Sequence, residues 1–159
     1  SIQHCVCVRK RRVDWKGKAM DIRVQLDCED IDWEQVPRIL GKVGMAYGSP
    51  EDHAKAFQNS SAAVFVYDGS TMVGFGRAIS DGVKQAAIYD IAVLPAYQGK
   101  GLGRTIIDNL LKKLGGCNVL LYANPGKDAF YERFGFRRRR TGMALFADPD
   151  EARRKRFID

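Results

Sequence analysis

Hydrophobic and polar residues alternate along residues 21–26, which is the pattern of a β-strand with one buried face. Residues 62–67 and 71–79 flank an Asp-Gly step, which favours the positive φ of a tight hairpin turn. A second Asp-Gly step precedes a fourth strand over residues 85–93. The pattern therefore predicts a sheet that begins with antiparallel strands.

The C-terminal third of the chain continues this sheet less clearly. Residues 119–122 form a continuous apolar run, which predicts a short fifth strand that is covered on both faces. One or two further strands are expected before the segment ends at Phe146.

Helical spacing is clearest over residues 102–114, where apolar residues recur every three or four positions and a pair of glycines ends the pattern. An earlier helix is predicted to follow Asp30 as its N-cap and to end around residues 41–44. Weaker patterns predict helices over about 50–57 and 126–133. Strands and helices in this order indicate an α/β protein.

The chain has 159 residues and is 45% hydrophobic, which suits one packed domain. No segment approaches the roughly 18 consecutive apolar residues of a membrane helix, and the N-terminus lacks the apolar region of a signal peptide. We therefore expect no membrane partner and an intracellular soluble location, cytoplasmic or organellar if the N-terminus is a processing remnant. Cys28 and Cys117 lie in apolar stretches, which favours a reducing compartment. His4 and His53 lack suitable partners, so no metal is expected.

The net charge of +7 is concentrated in three basic runs, within residues 9–18, 137–140 and 153–156. Such runs attract nucleic acid, anionic lipid or an acidic ligand, but outside a periodic core they are more often solvated tails. Nucleic acid is therefore not expected as a partner. The distribution predicts a basic, disordered N-terminal extension over residues 1–20, a folded domain over 21–147, and a charged C-terminal tail over 148–159.

Three glycines crowd the junction between the fourth strand and the clearest helix. The segment is Gln98, Gly99, Lys100, Gly101, Leu102, Gly103 and Arg104. Glycine lets the backbone approach a ligand closely, and the N–H groups and dipole at a helix start favour an anion such as a pyrophosphate. A plain turn is the alternative. Neither the dinucleotide-binding fingerprint nor the P-loop pattern fits the spacing.

The segment resembles the acetyl-CoA signature of the GNAT family of N-acetyltransferases, [QR]-x-x-G-x-[GA], with Gln98, Gly101 and Gly103 at the defined positions. Residues 89–97 look like the family's fourth strand and its entry to the loop. Asn124 and the segment around Tyr131 look like its second cofactor segment. The resemblance covers about residues 21–147 and is greatest to the compact branch that includes plant-type serotonin N-acetyltransferases.

The resemblance implies a GNAT fold: a mixed, mostly antiparallel sheet of about six to seven strands flanked by helices, with the fourth and fifth strands splayed. It also implies acetyl-CoA as co-substrate, held by residues 98–104, by the backbone of Ile91, Ala92 and Val93, and by Asn124. An N–H near Val93 would polarise the thioester carbonyl.

Two residues are candidates for proton transfer. Tyr131 is the candidate acid for the departing thiolate, because a phenol can donate or share a proton; packing beside Phe130 and Phe134 is the alternative. Asp90 is the candidate base, since it is a charge in an apolar strand. Alternation places Asp90 on the wrong face unless a bulge interrupts the strand, and the alternative is that it pairs with a basic neighbour.

The sequence therefore predicts direct acetyl transfer from acetyl-CoA to a primary amine in a ternary complex. The acceptor is either a small arylalkylamine or a protein lysine. The alternative function is a CoA-binding or interaction module without catalysis, whose basic tails dock a partner. A homodimer is left open by the sequence.

Overall fold

The computed structural model describes residues 8–13, 17 and 19–159, with the backbone alone for residues 8–13. These residues belong to two compact units. The first ends at Leu121, and the second is Tyr122–Asp159. The boundary falls inside the segment 21–147 that the sequence predicts as one domain.

The first unit contains one mixed sheet whose strands lie side by side in chain order. In the described residues its six strands are β1 Val8–Val13, β2 Ala19–Gln25, β3 Ala62–Asp68, β4 Thr71–Ser80, β5 Gln85–Val93 and β6 Asn118–Leu121. All neighbours are antiparallel except β5 and β6, which are parallel. The mostly antiparallel, mixed sheet of the predicted fold class is confirmed.

Strand β1 lies inside the segment 1–20 that the sequence predicts as a disordered extension, and it corrects that prediction for residues 8–13. Its backbone pairs with β2 from Val8 opposite Val24 to Val13 opposite Ala19. The segment has four basic residues between two valines, and the charge pattern obscured the strand. An edge strand tolerates such charges because only one of its sides is paired.

Helices cover both faces of the sheet in the first unit. They are α1 Gln35–Lys42, α2 Pro50–Gln58 and α3 Leu102–Leu114. Phe57 of α2 lies edge-on to Phe75 of β4, with ring centroids 5.7 Å apart. The positions of Gly74 and Gly76, which alternate with Phe75, face Ile106 of α3 instead. Because successive strand residues point to opposite faces, α2 and α3 lie on opposite sides of the sheet.

The start of α1 differs from the prediction. Asp30 is not its N-cap: it has φ 52° and lies five positions before the helix begins at Gln35. The carboxylate of Asp32 accepts the Glu34 N–H at 3.2 Å and a Gln35 side-chain N–H at 3.0 Å. Ile31 is nevertheless buried, so its apolar position reflects packing and not helical periodicity. The predicted ends of α1 and α2, and both ends of α3, agree with the structure.

Strand β6 forms, but it is not covered on both faces as predicted. Asn118 and Leu120 are exposed, while Val119 and Leu121 are half-buried. The strand lies at the edge of the sheet, and a short apolar run does not by itself distinguish an edge strand from a central one.

The second unit contains helices α4 Asp128–Glu132 and α5 Pro149–Arg154, and its residues form no strand. The one or two strands predicted up to Phe146 are therefore wrong. Arg137–Arg140 are all exposed, and Met143 and Leu145 are fully exposed, so these side chains pack against no sheet. The predicted charged tail contains α5, whose first turn is capped by Asp148 accepting the Glu151 N–H at 2.9 Å.

Replacement of Gly76 by alanine should destabilise the first unit. A Cβ there would lie 2.4 Å from Ile91 Cδ1 and 2.7 Å from Ile106 Cγ2, closer than carbon atoms pack. We expect Gly76→Ala to lower the free energy of unfolding by about 1–3 kcal/mol, measured by denaturant titration. Gly48→Ala is the control, because its Cβ would meet its nearest neighbour, an Asp52 oxygen, at an ordinary 3.5 Å. Equal stability of the two variants would contradict the close packing.

Candidate functional site

Strands β5 and β6 pair at one end only. Their register runs from Gln85 opposite Asn118 to Ile88 opposite Leu121, where β6 ends. β5 continues to Val93 and stays paired with β4 on its other side. Within the first unit, the β6 side of residues 89–93 therefore has no strand partner, which is the separation that the family resemblance implies.

The polar backbone groups of Val93 face this open edge. Leu94 donates its N–H to the Val73 carbonyl oxygen at 2.8 Å, which fixes the orientation of the β4–β5 ladder. By alternation, the groups of Ala92 point toward β4 and those of Val93 point away from it. The Gln98 side chain donates to the Val93 carbonyl oxygen at 2.9 Å. The Val93 N–H is thus directed to the open edge, whereas Ala92 is buried and paired with Phe75.

A β-bulge interrupts β5 at the position that the sequence singled out. Tyr89 pairs with Arg77 and Ala92 with Phe75, so Asp90 and Ile91 together face Gly76. Asp90 has φ 55°, in the left-handed region that most residues avoid. The bulge on which the catalytic prediction for Asp90 depends is therefore present.

The carboxylate of Asp90 is engaged in an ion pair. Its Oδ2 accepts a hydrogen bond from Arg77 Nε at 2.7 Å, and the side chains of Arg77 and Asp90 are only 16% and 24% exposed. Pairing with a basic neighbour was the alternative to a catalytic role, and this contact is confirmed. The role of Asp90 as a base stays a prediction.

The glycine-rich segment forms the start of α3. Gly99 and Gly101 have φ 74° and 80°, which only glycine adopts without strain, and Gly101 is the N-cap. As a glycine, Gly101 has no side chain that could cap the helix. The Leu102, Gly103 and Arg104 N–H groups belong to its first turn, whose donors lack intrahelical acceptors. This arrangement suits an anion such as a pyrophosphate.

The turn before this segment is tied to the β3–β4 hairpin. Tyr97 donates its hydroxyl proton to Asp68 Oδ2 at 2.9 Å, and Asp68 Oδ1 accepts the Asp21 N–H at 2.9 Å. Burial, together with the Asp68 carboxylate, raises the pKa of Tyr97. Sequence reasoning missed this anchor, because Asp68 reads only as a turn residue. Lys100 adds a second contact, with its Nζ 5.4 Å from the centroid of the Tyr97 ring.

The remaining two predicted site residues lie in the second unit. Asn124 is exposed, and its backbone carbonyl oxygen accepts the Lys127 N–H at 3.0 Å. Tyr131 is half-buried, and its ring centroid lies 5.0 Å from that of Phe130 and 6.1 Å from that of Phe136. Burial raises the pKa of Tyr131 above its ordinary value near 10. A packing role beside Phe130 is thus confirmed, and the catalytic role stays a prediction.

The histidine and metal predictions concern other parts of the chain. His53 is buried, and its Nε2 accepts the Gly48 N–H at 3.0 Å, a partner that the sequence did not reveal. His4 lies outside the described residues. Within the described part of the chain, no three His, Cys, Asp or Glu side chains cluster closely enough to hold a metal ion. No described helix is long and apolar enough to cross a membrane.

The separated strands β5 and β6 and the glycine-rich start of α3 define an α/β protein of mixed sheet whose fifth strand has an open edge. The model of the acetyltransferase (GNAT) family matches residues 26–136. The chain belongs to the GNAT family.

Named relatives agree with this assignment. The chain is 31% identical over 135 residues to "GCN5-related N-acetyltransferase 1, chloroplastic" of Arabidopsis thaliana, an alignment that covers 82% of this chain and 64% of the relative. It is 30% identical over 125 residues to "Serotonin N-acetyltransferase 2, chloroplastic" of rice, covering 74% of this chain and 62% of the relative. The chain thus spans somewhat less than two thirds of the length of these relatives.

Solved structures share the fold. A probable acetyltransferase from methicillin-resistant Staphylococcus aureus superposes with a TM-score of 0.68 at 29% identity, over 77% of this chain and 98% of that one. A second one, described as a putative acetyltransferase from Deinococcus radiodurans, gives a TM-score of 0.70 at 25% identity, over 79% and 88% of the two chains.

The family uses acetyl-CoA, and the start of α3 fits its phosphates. We expect Gly103→Glu to weaken acetyl-CoA binding by at least about tenfold, because a carboxylate would repel the pyrophosphate from the helix N-terminus. Gly103→Ala is the matched control, since it adds a side chain without a charge. Isothermal titration calorimetry on folded protein measures both affinities. Equal affinity of the Glu and Ala variants would show that the phosphates bind elsewhere.

Proposed function

We propose that this chain transfers an acetyl group from acetyl-CoA to a primary amine by direct attack in a ternary complex. The observation that carries the proposal is the separation of β5 from β6, which leaves the Val93 N–H at an open strand edge beside the glycine-rich start of α3. Membership of the GNAT family and relatives named as N-acetyltransferases support it.

Acetyl-CoA supplies the acetyl group as a thioester. The N–H groups at the start of α3 would hold its pyrophosphate, while the backbone of Ile91 to Val93 would bind the pantetheine arm. The Val93 N–H would donate to the thioester carbonyl oxygen, where negative charge develops as the amine attacks. Asn124 would add a hydrogen bond to the cofactor. These assignments use main-chain donors, so they depend on strand geometry more than on side-chain identity.

Acetyl transfer forms an N–C bond, breaks the C–S bond, and moves a proton from the amine. Asp90 or water would accept that proton, and Tyr131 would donate to the departing sulfur. The parent thiol has a pKa of about 8.5, so full proton transfer from a phenol of raised pKa is uphill. We therefore propose that Tyr131 acts mainly by a hydrogen bond that strengthens as charge develops on sulfur.

The acceptor is an arylalkylamine or a protein lysine. The rice relative named a serotonin N-acetyltransferase supports the first, and a soybean relative named a histone acetyltransferase, 29% identical over 121 residues, supports the second. The names of the Arabidopsis and rice relatives also support an organelle as the location.

A panel of arylalkylamines and lysine peptides, with free thiol as the readout, tests the transfer and ranks the acceptors. Binding of acetyl-CoA without thiol release would indicate a CoA-binding module without catalysis.

Tyr131→Phe should impair the chemical step more than cofactor binding. The substitution keeps the ring that packs against Phe130 and removes the hydroxyl donor. We expect the single-turnover rate to fall at least about tenfold while acetyl-CoA affinity changes little, since loss of one hydrogen-bond donor to charge that develops in the transition state typically costs about 100-fold or more. Tyr122→Phe is the control, because Tyr122 is an exposed tyrosine of the same unit.

The pH dependence gives a second readout. Because burial raises the pKa of Tyr131, the phenol stays protonated throughout the neutral range, and its deprotonation should reduce the rate only above about pH 10. A wild-type single-turnover rate in folded Tyr131→Phe would contradict the catalytic role of Tyr131. The proposed acetyl transfer itself would still be tested by the release of free thiol.

A further inference from the structure

We infer that Arg77 is a positioning residue for acetyl transfer: its ion pair with Asp90 holds the β5 bulge that directs the Val93 N–H to the open strand edge. The inference rests on the proposed function, because the Val93 N–H matters only if a thioester carbonyl lies against it. It gives Asp90 a structural role in the site in place of proton transfer.

The unfavourable backbone conformation of Asp90 requires a restraint from its surroundings. Its φ of 55° is a left-handed conformation, and Asp90 is the one non-glycine residue with positive φ inside a strand of the described residues. Aspartate tolerates this region better than most residues, but it is still less favourable there than glycine. Such a conformation persists where the surroundings over-determine it.

Arg77 supplies that restraint from the neighbouring strand. Besides the 2.7 Å contact to Asp90 Oδ2, its Nη1 donates to Ser60 Oγ at 3.4 Å, and its guanidinium lies 5.1 Å from the centroid of the Tyr89 ring. Ser60 Oγ in turn donates to the Ala56 carbonyl oxygen of α2 at 2.7 Å. The guanidinium therefore joins the bulge to β4 and to the end of α2.

The second bulge residue is fixed from the other face. Ile91 occupies the space above Gly76, where a Cβ would lie 2.4 Å from Ile91 Cδ1. Loss of the extra residue from the bulge would shift the register by one position and reverse the direction of each following residue. Ala92 would then turn from the face of Phe75 to the face covered by α3, and Val93 would turn its N–H toward β4. The direction of the proposed oxyanion donor thus depends on the conformation of Asp90.

Two substitutions of Asp90 separate this role from that of a base. Asp90→Ala and Asp90→Gly both remove the carboxylate. If Asp90 acted as the base, the two variants should therefore lose activity equally. A positioning role predicts different losses, because glycine adopts positive φ readily and alanine does not. We expect Asp90→Gly to have a kcat at least about tenfold above that of Asp90→Ala at saturating acetyl-CoA, since misplacement by about 1 Å can cost 100-fold.

Arg77→Ala completes the experiment as a double-mutant cycle. In the Asp90→Gly background, glycine adopts the bulge conformation without the ion pair, so the loss of Arg77 should have little effect on kcat. Arg77→Ala should therefore lower kcat several-fold more in the wild-type background than in the Asp90→Gly background. Kinetics are measured well below the thermal unfolding midpoint of each variant, because a merely structural ion pair would lower the midpoint and leave kcat of the folded protein unchanged.

The outcomes distinguish this inference from the proposed function. Equal kcat values for Asp90→Gly and Asp90→Ala, or additive effects of Arg77→Ala, would overturn the positioning role while wild-type thiol release still supports acetyl transfer. Wild-type protein that binds acetyl-CoA but releases no thiol with any amine would overturn the proposed function itself.

Discussion

The close packing of α3 on two glycines of β4 is the constraint on which the first unit depends. A Cβ at Gly74 would lie 2.8 Å from the Ala92 carbonyl oxygen, and one at Gly76 would collide with side chains of β5 and α3. The absence of both side chains lets Ile106 reach the sheet directly. Since Gly101 is the N-cap of the same helix, this packing also fixes where the uncapped N–H groups lie relative to β4 and β5.

Two side-chain hydrogen bonds also fix the segment between β5 and α3. Gln98 binds the Val93 carbonyl oxygen, and Tyr97 binds Asp68 of the hairpin turn. Flexible glycines would otherwise make the segment costly to order around a ligand, because glycine loses more conformational freedom than any other residue. Anchoring the polar residues beside the glycines lowers that cost before a ligand arrives. The signature Gln98 therefore has a structural role in this chain that its place in a motif does not reveal.

Much of this first unit could be predicted from the sequence, because its signals are local. The hairpin around Gly69, strand β5 and helix α3 follow from a turn step and from apolar periodicity. Tertiary features could not be predicted in this way. The Tyr97–Asp68 contact joins residues 29 positions apart, and β1 is stabilised by pairing with β2 although its own sequence reads as a charge run. The opposite error occurred before Phe146, where the predicted final strands are absent from the described residues and the side chains of Met143 and Leu145 are fully exposed.

The candidate base shows why a residue type and its position in a strand do not define a catalytic role. The sequence predicted a catalytic role for Asp90 only if a bulge interrupts the strand. The bulge is present, but the Asp90 carboxylate in it is paired with Arg77. Oδ2 is committed to Arg77, so proton acceptance from an amine would require the other oxygen, Oδ1, or rupture of a partly buried ion pair. Leaving Arg77 without its partner would be costly, because a charged group of low exposure would lose its compensating contact. A water molecule at the open edge of β5 meets no such cost, which favours solvent as the proton acceptor and Asp90 as the residue that holds the strand in shape.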